Sequence, residues 1–498
     1  MLTLITCLFV LTASLYLLSD RLKPYKYPIA GFLLMLFVGI QWSVFSAGMT
    51  GFEKLGWSVV TTLELVAVPF LLVFLIEERS IPKMIALILG SGLVMLAQEL
   101  REGQMSDHEL MMHVMEEAHP KIKSLSLDHF YLEKAFDPEF AESTTLDDYY
   151  HLKCSSVSNA RFDQIIDYLL QNEWILDLEK DDEITIVQPG FIDGLVVAPP
   201  PSQSQLKDPL AAQQWGLHAV RLSEAFSLLE KAEFRPKRKS KVVVLDTGIK
   251  GDHEDLKGNL FEIDQNNLVD KNGHGTHCAG TIGASNNNGK GINSFNYKNK
   301  SIEVSGIAVL NDQGVGRESK IVNGIVEAVD AGADVISMSL GGLSNPLKQS
   351  AYRKAIKYAE SQNVIIVAAA GNSAANAKYY LPTSMDYVFS VSAVDSSLKL
   401  AKFSNTVQDV TKGLAAPGVQ VLSTDEKGTY KSANGTSMAA PFVSGLIALM
   451  RSIDPEVTAT EIYEILSDSG LELDHKKRSG NFIQADQAIK LMLEHQNH

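Results

Sequence analysis

The sequence predicts an α/β fold with a parallel sheet and helices on both faces, preceded by a helical membrane region and a small α+β domain. The first hundred residues contain four long apolar stretches, and residues 101–200 mix short strand and helix patterns. From Asp208 onward, apolar strands alternate with helices. This alternation is typical of a parallel sheet that is covered on both faces.

The membrane region, residues 1–100, is predicted to contain three or four transmembrane helices. Each apolar stretch is near the length that crosses a bilayer, and the last is the shortest. The stretches are Leu2–Leu18, Pro28–Met49, Trp57–Ile76 and Met84–Ala97. The first lacks the basic start of a signal peptide, so we interpret it as a membrane helix in contact with lipid.

Basic residues between the apolar stretches predict the orientation of the chain. Three lie in the first connecting segment, only Lys54 in the second, and two in the third. Lys and Arg favour the cytoplasmic side, so four spans leave the chain after Ala97 outside the cytoplasm, whereas three spans reverse this orientation. Glu64, inside the third stretch, is either a functional group or a structural group with a partner.

Residues 101–200 are predicted to form the small α+β domain and a linker. "HLKCS" and "EITIV" are typical of short strands, and "ARFDQIIDYLLQN" has apolar residues at helical spacing. The following "VVAPPPSQSQLKDP" is rich in Pro, Ser and Gln, which is typical of a linker.

Residues 205–498 carry the predicted parallel sheet. Strands are predicted at "KVVVLD", "VSGIAVL", "ADVISMSL" and "NVIIVAAAGN". Helices are predicted at "GTHCAGTIGA", "SKIVNGIVEAVDAG", "NPLKQSAYRKAIKYAES" and "GTSMAAPFVSGLIALMRS". Ligand sites of such sheets lie beyond the carboxyl ends of the strands, and Asp246 and Asn372 each follow a predicted strand directly.

Composition argues against two classes of protein. The net charge is −15 and the chain has no long basic stripe, so nucleic acid is not an expected partner. The three cysteines are scattered and odd in number, so they form no disulfide framework.

Three residues supply the groups that an activated serine needs. Serine at its ordinary pKa is a weak nucleophile and requires a base, normally histidine, that an acid holds in the right tautomer. Asp246 follows a strand, His274 lies in a glycine-rich helix start, and Ser437 precedes a long apolar helix. The order Asp, His, Ser along the chain is that of subtilisin.

The motifs around these residues resemble those of subtilisin-like serine proteases. Four occur in the order of that family: "VVVLDTGI", "HGTHCAGTIG", "AAAGNS" and "NGTSMAAPFVSG". The resemblance covers the chain from about Asp208 to its C-terminal end. It implies a subtilisin-like fold and an endopeptidase that acts on protein or peptide substrates through an acyl-enzyme, with no cofactor required for the chemistry.

The resemblance assigns roles to individual residues. Asp246 orients the base, His274 is the base, Ser437 is the nucleophile, and Asn372 is the side-chain donor to the oxyanion. His277, the second histidine of its motif, is expected to have a structural role. Cys278 is expected to be a small buried residue rather than a second nucleophile.

The resemblance also implies a cleft in which substrate adds a strand to two exposed edges. The edge residues are Gly314, Val315, Gly316, Ser339, Leu340 and Gly341. Leu381–Pro382 resembles a cis-proline turn beside the specificity pocket, where Tyr379 and Tyr380 either line the pocket or lie on the surface.

Calcium is the only metal ion that the resemblance suggests. Asp255, Asn287 and Asp208 match positions at which many subtilases bind it, and oxygen ligands suit this ion. Gly289 and Lys290 depart from the usual loop pattern, so a site without a cation beside Lys290 is the alternative.

The sequence therefore predicts a membrane-anchored serine endopeptidase whose catalytic domain lies outside the cytoplasm. By its position, the small domain is predicted to be a propeptide that assists folding and inhibits the protease, with a spacer or partner-binding module as the alternative. Self-cleavage is predicted within "APPPSQSQLKDP", between about Ala198 and Pro209.

Two other classes stay open for the whole protein. One is an inactive binding protein built on the protease fold, which the four intact catalytic positions argue against. The other is a membrane sensor or transporter with an accessory protease, which the number of spans and Glu64 favour.

Overall fold

The computed structural model describes residues 105–115, 130–139, 144–172, 174–181, 183–186, 205–344 and 349–495. The four predicted spans and most of the predicted linker lie outside these residues. Two compact units are distinguished, Met1–Ser106 with Ser156–Ile165, and Asp107–Ser155 with Ile166–His498. The contacts given below lie within the second unit.

A small four-stranded sheet and one helix precede the linker. The strands are Met105–Val114 (β1), Phe130–Lys134 (β2), Tyr149–Ser158 (β3) and Ile175–Lys180 (β4), and the helix is Asn159–Leu170 (α1). The order across the sheet is β2-β3-β1-β4, and β2 with β3 and β1 with β4 are antiparallel. A further strand, Glu183–Thr185 (β5), leaves this sheet and pairs elsewhere.

A seven-stranded parallel sheet forms the centre of the following region. Its strands are Ser240–Asp246 (β6), Ile302–Ala308 (β7), Val335–Met338 (β9), Ile365–Ala369 (β11), Phe389–Val394 (β13), Lys412–Pro417 (β14) and Asn481–Phe482 (β17). Their order is β17-β14-β13-β11-β9-β6-β7, and every neighbouring pair is parallel. The short strands outside this sheet are Val315–Arg317 (β8), Gly342–Leu343 (β10), Tyr380–Leu381 (β12), Val421–Thr424 (β15) and Tyr430–Ala433 (β16).

Helices cover both faces of the parallel sheet. They are Trp215–Ala219 (α2), Leu222–Lys231 (α3), His274–Gly283 (α4), Glu318–Asp330 (α5), Ser350–Ser361 (α6), Thr436–Ile453 (α7), Ala459–Ser469 (α8), Lys476–Ser479 (α9) and Ala485–His495 (α10). Residues of β6 alternate between two hydrophobic clusters, because successive side chains of a strand point to opposite faces. Val242 and Val244 join the cluster of α4 and α7, whereas Val243 and Leu245 join that of α5 and α6.

The helix α7 lies within the core of this region. Among the described residues it is the one helix long and apolar enough to cross a membrane, and all of its residues are buried inside the protein. The apolar composition of α7 is therefore accounted for by packing within the protein core.

The predicted alternation of strands and helices is confirmed. Each of the eight predicted segments contains a strand or helix of the expected kind, and the sheet that they form is parallel. Strands β13 to β17 were not predicted. Strands β14 to β17 are short or rich in Ala, Gly and Ser. Strand β13, "FSVSAV", has an alternating pattern that could have revealed it.

Candidate active site

Asp246 and His274 meet at the carboxyl end of β6. Asp246 is the last residue of that strand and is fully buried, while His274 is the first residue of α4. His274 Nδ1 lies 2.8 Å from one carboxylate oxygen of Asp246 and 2.9 Å from the other. A Cβ on Gly275 would meet the Gly248 carbonyl oxygen at 2.1 Å, so only glycine lets α4 start this close to the strand end.

Asp270 fixes the start of the helix that carries His274. Its carboxylate accepts hydrogen bonds from the backbone N–H groups of Asn272, Gly273 and Thr276 at 2.9–3.0 Å. It also accepts from the hydroxyls of Thr247 and Thr276. The sequence analysis missed this residue, although an acidic residue just before a helix start is a known capping signal.

Ser437 is the second residue of α7 and is almost completely buried. Its Oγ donates to the Ser339 carbonyl at 3.1 Å, and its own carbonyl accepts from Ser339 Oγ at 2.7 Å. The Cys278 thiol lies 3.6 Å from the same Ser437 carbonyl. Polar atoms of Cys278, His274 and Asp246 all lie within 4.8 Å of one another, so the start of α7 lies close to the Asp246–His274 pair.

Asn372 is held beside the start of α7. Its Oδ1 accepts from the Thr436 backbone N–H at 2.8 Å and from the Thr436 hydroxyl at 2.9 Å. These two bonds fix the amide plane next to Ser437. Asn405 supports the same turn by accepting from the N–H groups of Ser373 and Ala375 and donating to a neighbouring carbonyl, a role that the sequence did not indicate.

His277 and Cys278 have the structural environments that were expected. Burial, with a contribution from His274, lowers the pKa of His277 to about 4, so its ring is neutral at pH 7. His277 Nε2 lies 3.1 Å from the Val421 carbonyl and 3.0 Å from that of Lys431, and its Nδ1 is buried with no hydrogen-bond partner among the described residues. Burial raises the pKa of the Cys278 thiol, which keeps it protonated and poorly nucleophilic.

The two predicted substrate edges flank β5. On one side β5 pairs antiparallel with β8, with Ile184 opposite Gly316 and Thr185 opposite Val315. On the other side Thr185 forms an antiparallel bridge with Gly341. A strand from the small domain thus lies between the edges Gly314–Gly316 and Ser339–Gly341.

Two acidic residues that precede β5 in the chain accept hydrogen bonds from helix N-termini. Asp181 accepts from Ser319 N at 2.8 Å and Ser319 Oγ at 2.6 Å, at the start of α5. Glu179, on β4, accepts from Ser350 N at 3.0 Å, at the start of α6. Anions are stabilised at helix N-termini, where backbone N–H groups lack partners within the helix.

The predicted calcium residues lie in one loop region, but their oxygens already accept hydrogen bonds. Asp208 accepts from the N–H groups of Asn287 and Gly289, and Asn287 Oδ1 accepts from Lys207 N. Asp255 accepts from the Ile292 N–H and the Tyr430 hydroxyl at 3.0 Å, and from an asparagine amide. A cation would have to displace these donors, so this donor set does not fit a calcium ion well.

The turn beside the cleft also has its expected backbone conformation. The Leu381–Pro382 peptide bond is cis. Leu381 pairs with Gly342 in the short ladder of β10 and β12, which extends the edge that ends at Gly341. Tyr379 is largely exposed.

Comparisons with known proteins agree with this geometry. A family model, Peptidase_S8 (subtilase family), matches residues 237–483. Subtilisin DY of Bacillus licheniformis is 40% identical over 239 residues, which are 47% of this chain and 84% of the relative. Thermitase of Thermoactinomyces vulgaris is 34% identical over 249 residues, 49% of this chain and 83% of the relative. A solved structure of a protease from Pseudoalteromonas arctica has a TM-score of 0.51 and 28% identity, covering 58% of this chain and 100% of that one.

Proposed function

The chain belongs to the subtilase family and is a serine endopeptidase, and we propose that Asp246, His274 and Ser437 are its catalytic triad. One observation carries the proposal, namely that His274 Nδ1 donates to both oxygens of the buried Asp246. This bond fixes the tautomer with the proton on Nδ1, so Nε2 is the nitrogen that accepts a proton.

The proposed reaction has two steps. Ser437 Oγ attacks the carbonyl carbon of the substrate, and its proton passes to His274 Nε2. His274 then gives that proton to the leaving amine, which produces an acyl-enzyme on Ser437. Water, deprotonated by His274, hydrolyses the ester and restores the serine. Asp246 holds the imidazole in place and stabilises its protonated form.

The oxyanion of each tetrahedral intermediate is proposed to lie between Asn372 and the start of α7. The backbone N–H and the hydroxyl of Thr436 both donate to Asn372 Oδ1, so the Nδ2 group of Asn372 points away from Thr436. The first N–H groups of a helix lack intrahelical acceptors, and Ser437 is the second residue of α7. Both sets of donors suit a developing negative charge.

Hydrolysis of casein by the full chain tests the assignment. Ser437→Ala is expected to abolish hydrolysis, because it removes the nucleophile. Ser452→Ala is the matched control, since Ser452 lies in the same helix and its hydroxyl donates to the Leu449 carbonyl within that helix. Equal hydrolysis by Ser437→Ala and wild type would refute the assignment of the nucleophile.

We further propose that the small domain inhibits the protease and assists its folding. The support is steric, because β5 lies between both edges that an extended substrate would use. Asp181 adds charged hydrogen bonds at the start of one helix of the catalytic region, and Glu179 accepts a hydrogen bond at the start of another. A peptide substrate therefore has to displace β5 before it can bind.

The proposed location is the cell membrane, with the catalytic region outside the cytoplasm. The support is the apolar sequence of residues 1–100 and the distribution of Lys and Arg between its four stretches. A phosphatase fused after His498 is expected to be active only outside the cytoplasm. A fusion that is active only in the cytoplasm would reverse the orientation and indicate three spans.

A further inference from the structure

The backbone around His274 is held on both sides by residues outside the proposed triad. On the side of the preceding residue, the Gly273 N–H donates to Asp270 Oδ1 at 2.9 Å. On the side of the following residue, the Gly275 N–H donates to Thr247 Oγ1 at 3.1 Å. The position of His274 therefore depends on where Asp270 and Thr247 lie.

Thr247 also holds the carboxylate partner of His274. It follows Asp246 in the chain, and its backbone N–H donates to Asp246 Oδ1 at 2.8 Å. The same oxygen lies 2.8 Å from His274 Nδ1. Thr247 thus contacts the acid through its N–H group and the helix of the base through its hydroxyl, so one residue connects the two segments that carry them.

A hydrogen bond between Thr247 and Asp270 completes this network. The Thr247 hydroxyl donates to Asp270 Oδ1 at 3.0 Å while it accepts from the Gly275 N–H. A hydroxyl has one proton and two lone pairs, so donating to Asp270 leaves its oxygen free to accept from Gly275. Thr247 and Asp270 are each only 7% exposed, so water does not readily replace these bonds.

Resting on the proposed triad, we propose that Thr247 and Asp270 are positioning residues that hold Asp246 and His274 in the geometry of proton transfer. Neither has a proposed contact with the substrate, and both act through Asp246 or through the N–H groups next to His274. A displacement of about 1 Å can lower the rate of a catalysed step about 100-fold. Loss of the network is therefore expected to slow turnover.

The alternative role for Asp270 is that of a helix cap alone. Its carboxylate also accepts from the Asn272 N–H and from the N–H and hydroxyl of Thr276, at 2.6–3.0 Å, at the start of α4. A cap contributes to stability, so its loss should lower Tm and leave kcat of the folded enzyme unchanged. Loss of a positioning residue should instead lower kcat in molecules that are still folded.

Substitution of Thr247 in the full chain tests the proposal. Thr247→Val keeps the shape of the side chain and the N–H to Asp246 but removes the hydroxyl that bonds Asp270 and Gly275. It is expected to lower kcat for a fluorogenic peptide about 10–100-fold, with KM within about threefold of wild type. Thr247→Ser keeps the hydroxyl, so its kcat is expected to stay within about threefold of wild type.

The rate at which a fluorophosphonate labels Ser437 is the second readout. Labelling needs an activated serine but no bound peptide, so it reports on the base and not on the substrate edges. Thr247→Val should slow labelling by about the same factor as it lowers kcat. Thr247→Ser should label at nearly the wild-type rate.

Thr281→Val is the matched control. Thr281 lies in the same helix as His274 and is only 3% exposed. Its hydroxyl bonds the His277 carbonyl at 3.4 Å and Ser423 Oγ at 3.2 Å, away from the network. The control therefore loses a buried hydroxyl of α4, so its Tm should fall while its kcat stays within about threefold of wild type.

Asp270→Asn is an independent variant of the same network. An amide keeps one acceptor oxygen but puts N–H donors where the other carboxylate oxygen now accepts. Its kcat is expected to fall about tenfold or more, with KM within about threefold of wild type. Circular dichroism identifies the folded variants, and Thr247→Ala, which adds no bulk, replaces Thr247→Val if that variant does not fold.

The outcomes separate this inference from the proposed function. A folded variant of Thr247 without the hydroxyl, or a folded Asp270→Asn, whose kcat and labelling rate stay within threefold of wild type would overturn the inference and leave the triad intact. Equal losses in Thr247→Val and Thr247→Ser would do the same. Hydrolysis by Ser437→Ala at the wild-type rate would overturn the proposed function itself.

Discussion

Removing the carboxylate of Asp181 is expected to open the cleft. Asp181 is fully buried and accepts two hydrogen bonds from Ser319, at 2.8 and 2.6 Å, at the start of α5. His151 Nε2 lies 3.0 Å from the same carboxylate. Burial alone would raise the pKa of Asp181, but the hydrogen bonds from His151 and Ser319 outweigh it and leave the pKa lowered, so the carboxylate is charged at neutral pH.

The expected size of the effect follows from these contacts. A hydrogen bond to a charged group contributes about 1.5–3 kcal/mol. Two such bonds from Ser319 give at least about 3 kcal/mol, and every 1.4 kcal/mol changes an equilibrium tenfold. Asp181→Ala should therefore raise the ratio of molecules with an open cleft to molecules with a closed cleft by about 100-fold.

The assay is the initial rate at which the full chain, with its small domain present, hydrolyses a fluorogenic peptide. Asp137→Ala is the control, because Asp137 forms an exposed pair with Lys134 on the same domain and such pairs contribute about 0–1 kcal/mol. Circular dichroism should show that both variants are folded. If Asp181→Ala is folded and its rate stays within threefold of wild type, the inhibitory role of this contact is refuted.

Three further predictions follow from the site. Asn372→Ala should lower kcat by about 10²–10³-fold with little change in KM or Tm, as expected for one oxyanion donor; a change in KM alone would contradict this role. Burial, with Asp177 beside it, raises the pKa of Glu179 while the small domain is bound to the catalytic region. The bound domain therefore holds a proton that the released domain loses. Because of this difference, inhibition should weaken as the pH rises from about 5 to 8. Glu179→Gln should flatten this dependence, and an unchanged profile would exclude Glu179 as its source. EDTA should shift Tm by less than about 2 °C, because Asp255 accepts hydrogen bonds from protein donors, whereas Tyr430→Phe, which removes one of them, should lower Tm by about 2–4 °C. A larger shift with EDTA than with the variant would show that the loop binds a cation.

The sequence was sufficient to predict the parallel sheet and to propose the residues of the site. Asp246 and Asn372 were found because each follows an apolar strand, and Ser437 because it precedes an apolar helix in a small-residue motif. These signals are local, since a strand end and a helix start are each encoded within a few residues.

The parts that the sequence did not predict depend on contacts between distant residues. Asp270 acts through the N–H groups around His274, and Asn405 through a turn about thirty positions earlier in the chain. The strand β5 was expected, but its pairing with Gly316 and Gly341 was not, because register between distant segments has no local signature.

The catalytic triad is tested most directly by locating the residue that a fluorophosphonate probe modifies. The full chain in membranes is labelled, digested and analysed by mass spectrometry, together with Ser437→Ala and His274→Ala. We expect one adduct on Ser437, no adduct in Ser437→Ala, and strongly slowed labelling in His274→Ala, because the serine then lacks its base. Labelling of Ser437→Ala at the wild-type rate, or an adduct on another residue of the wild type, would contradict this expectation.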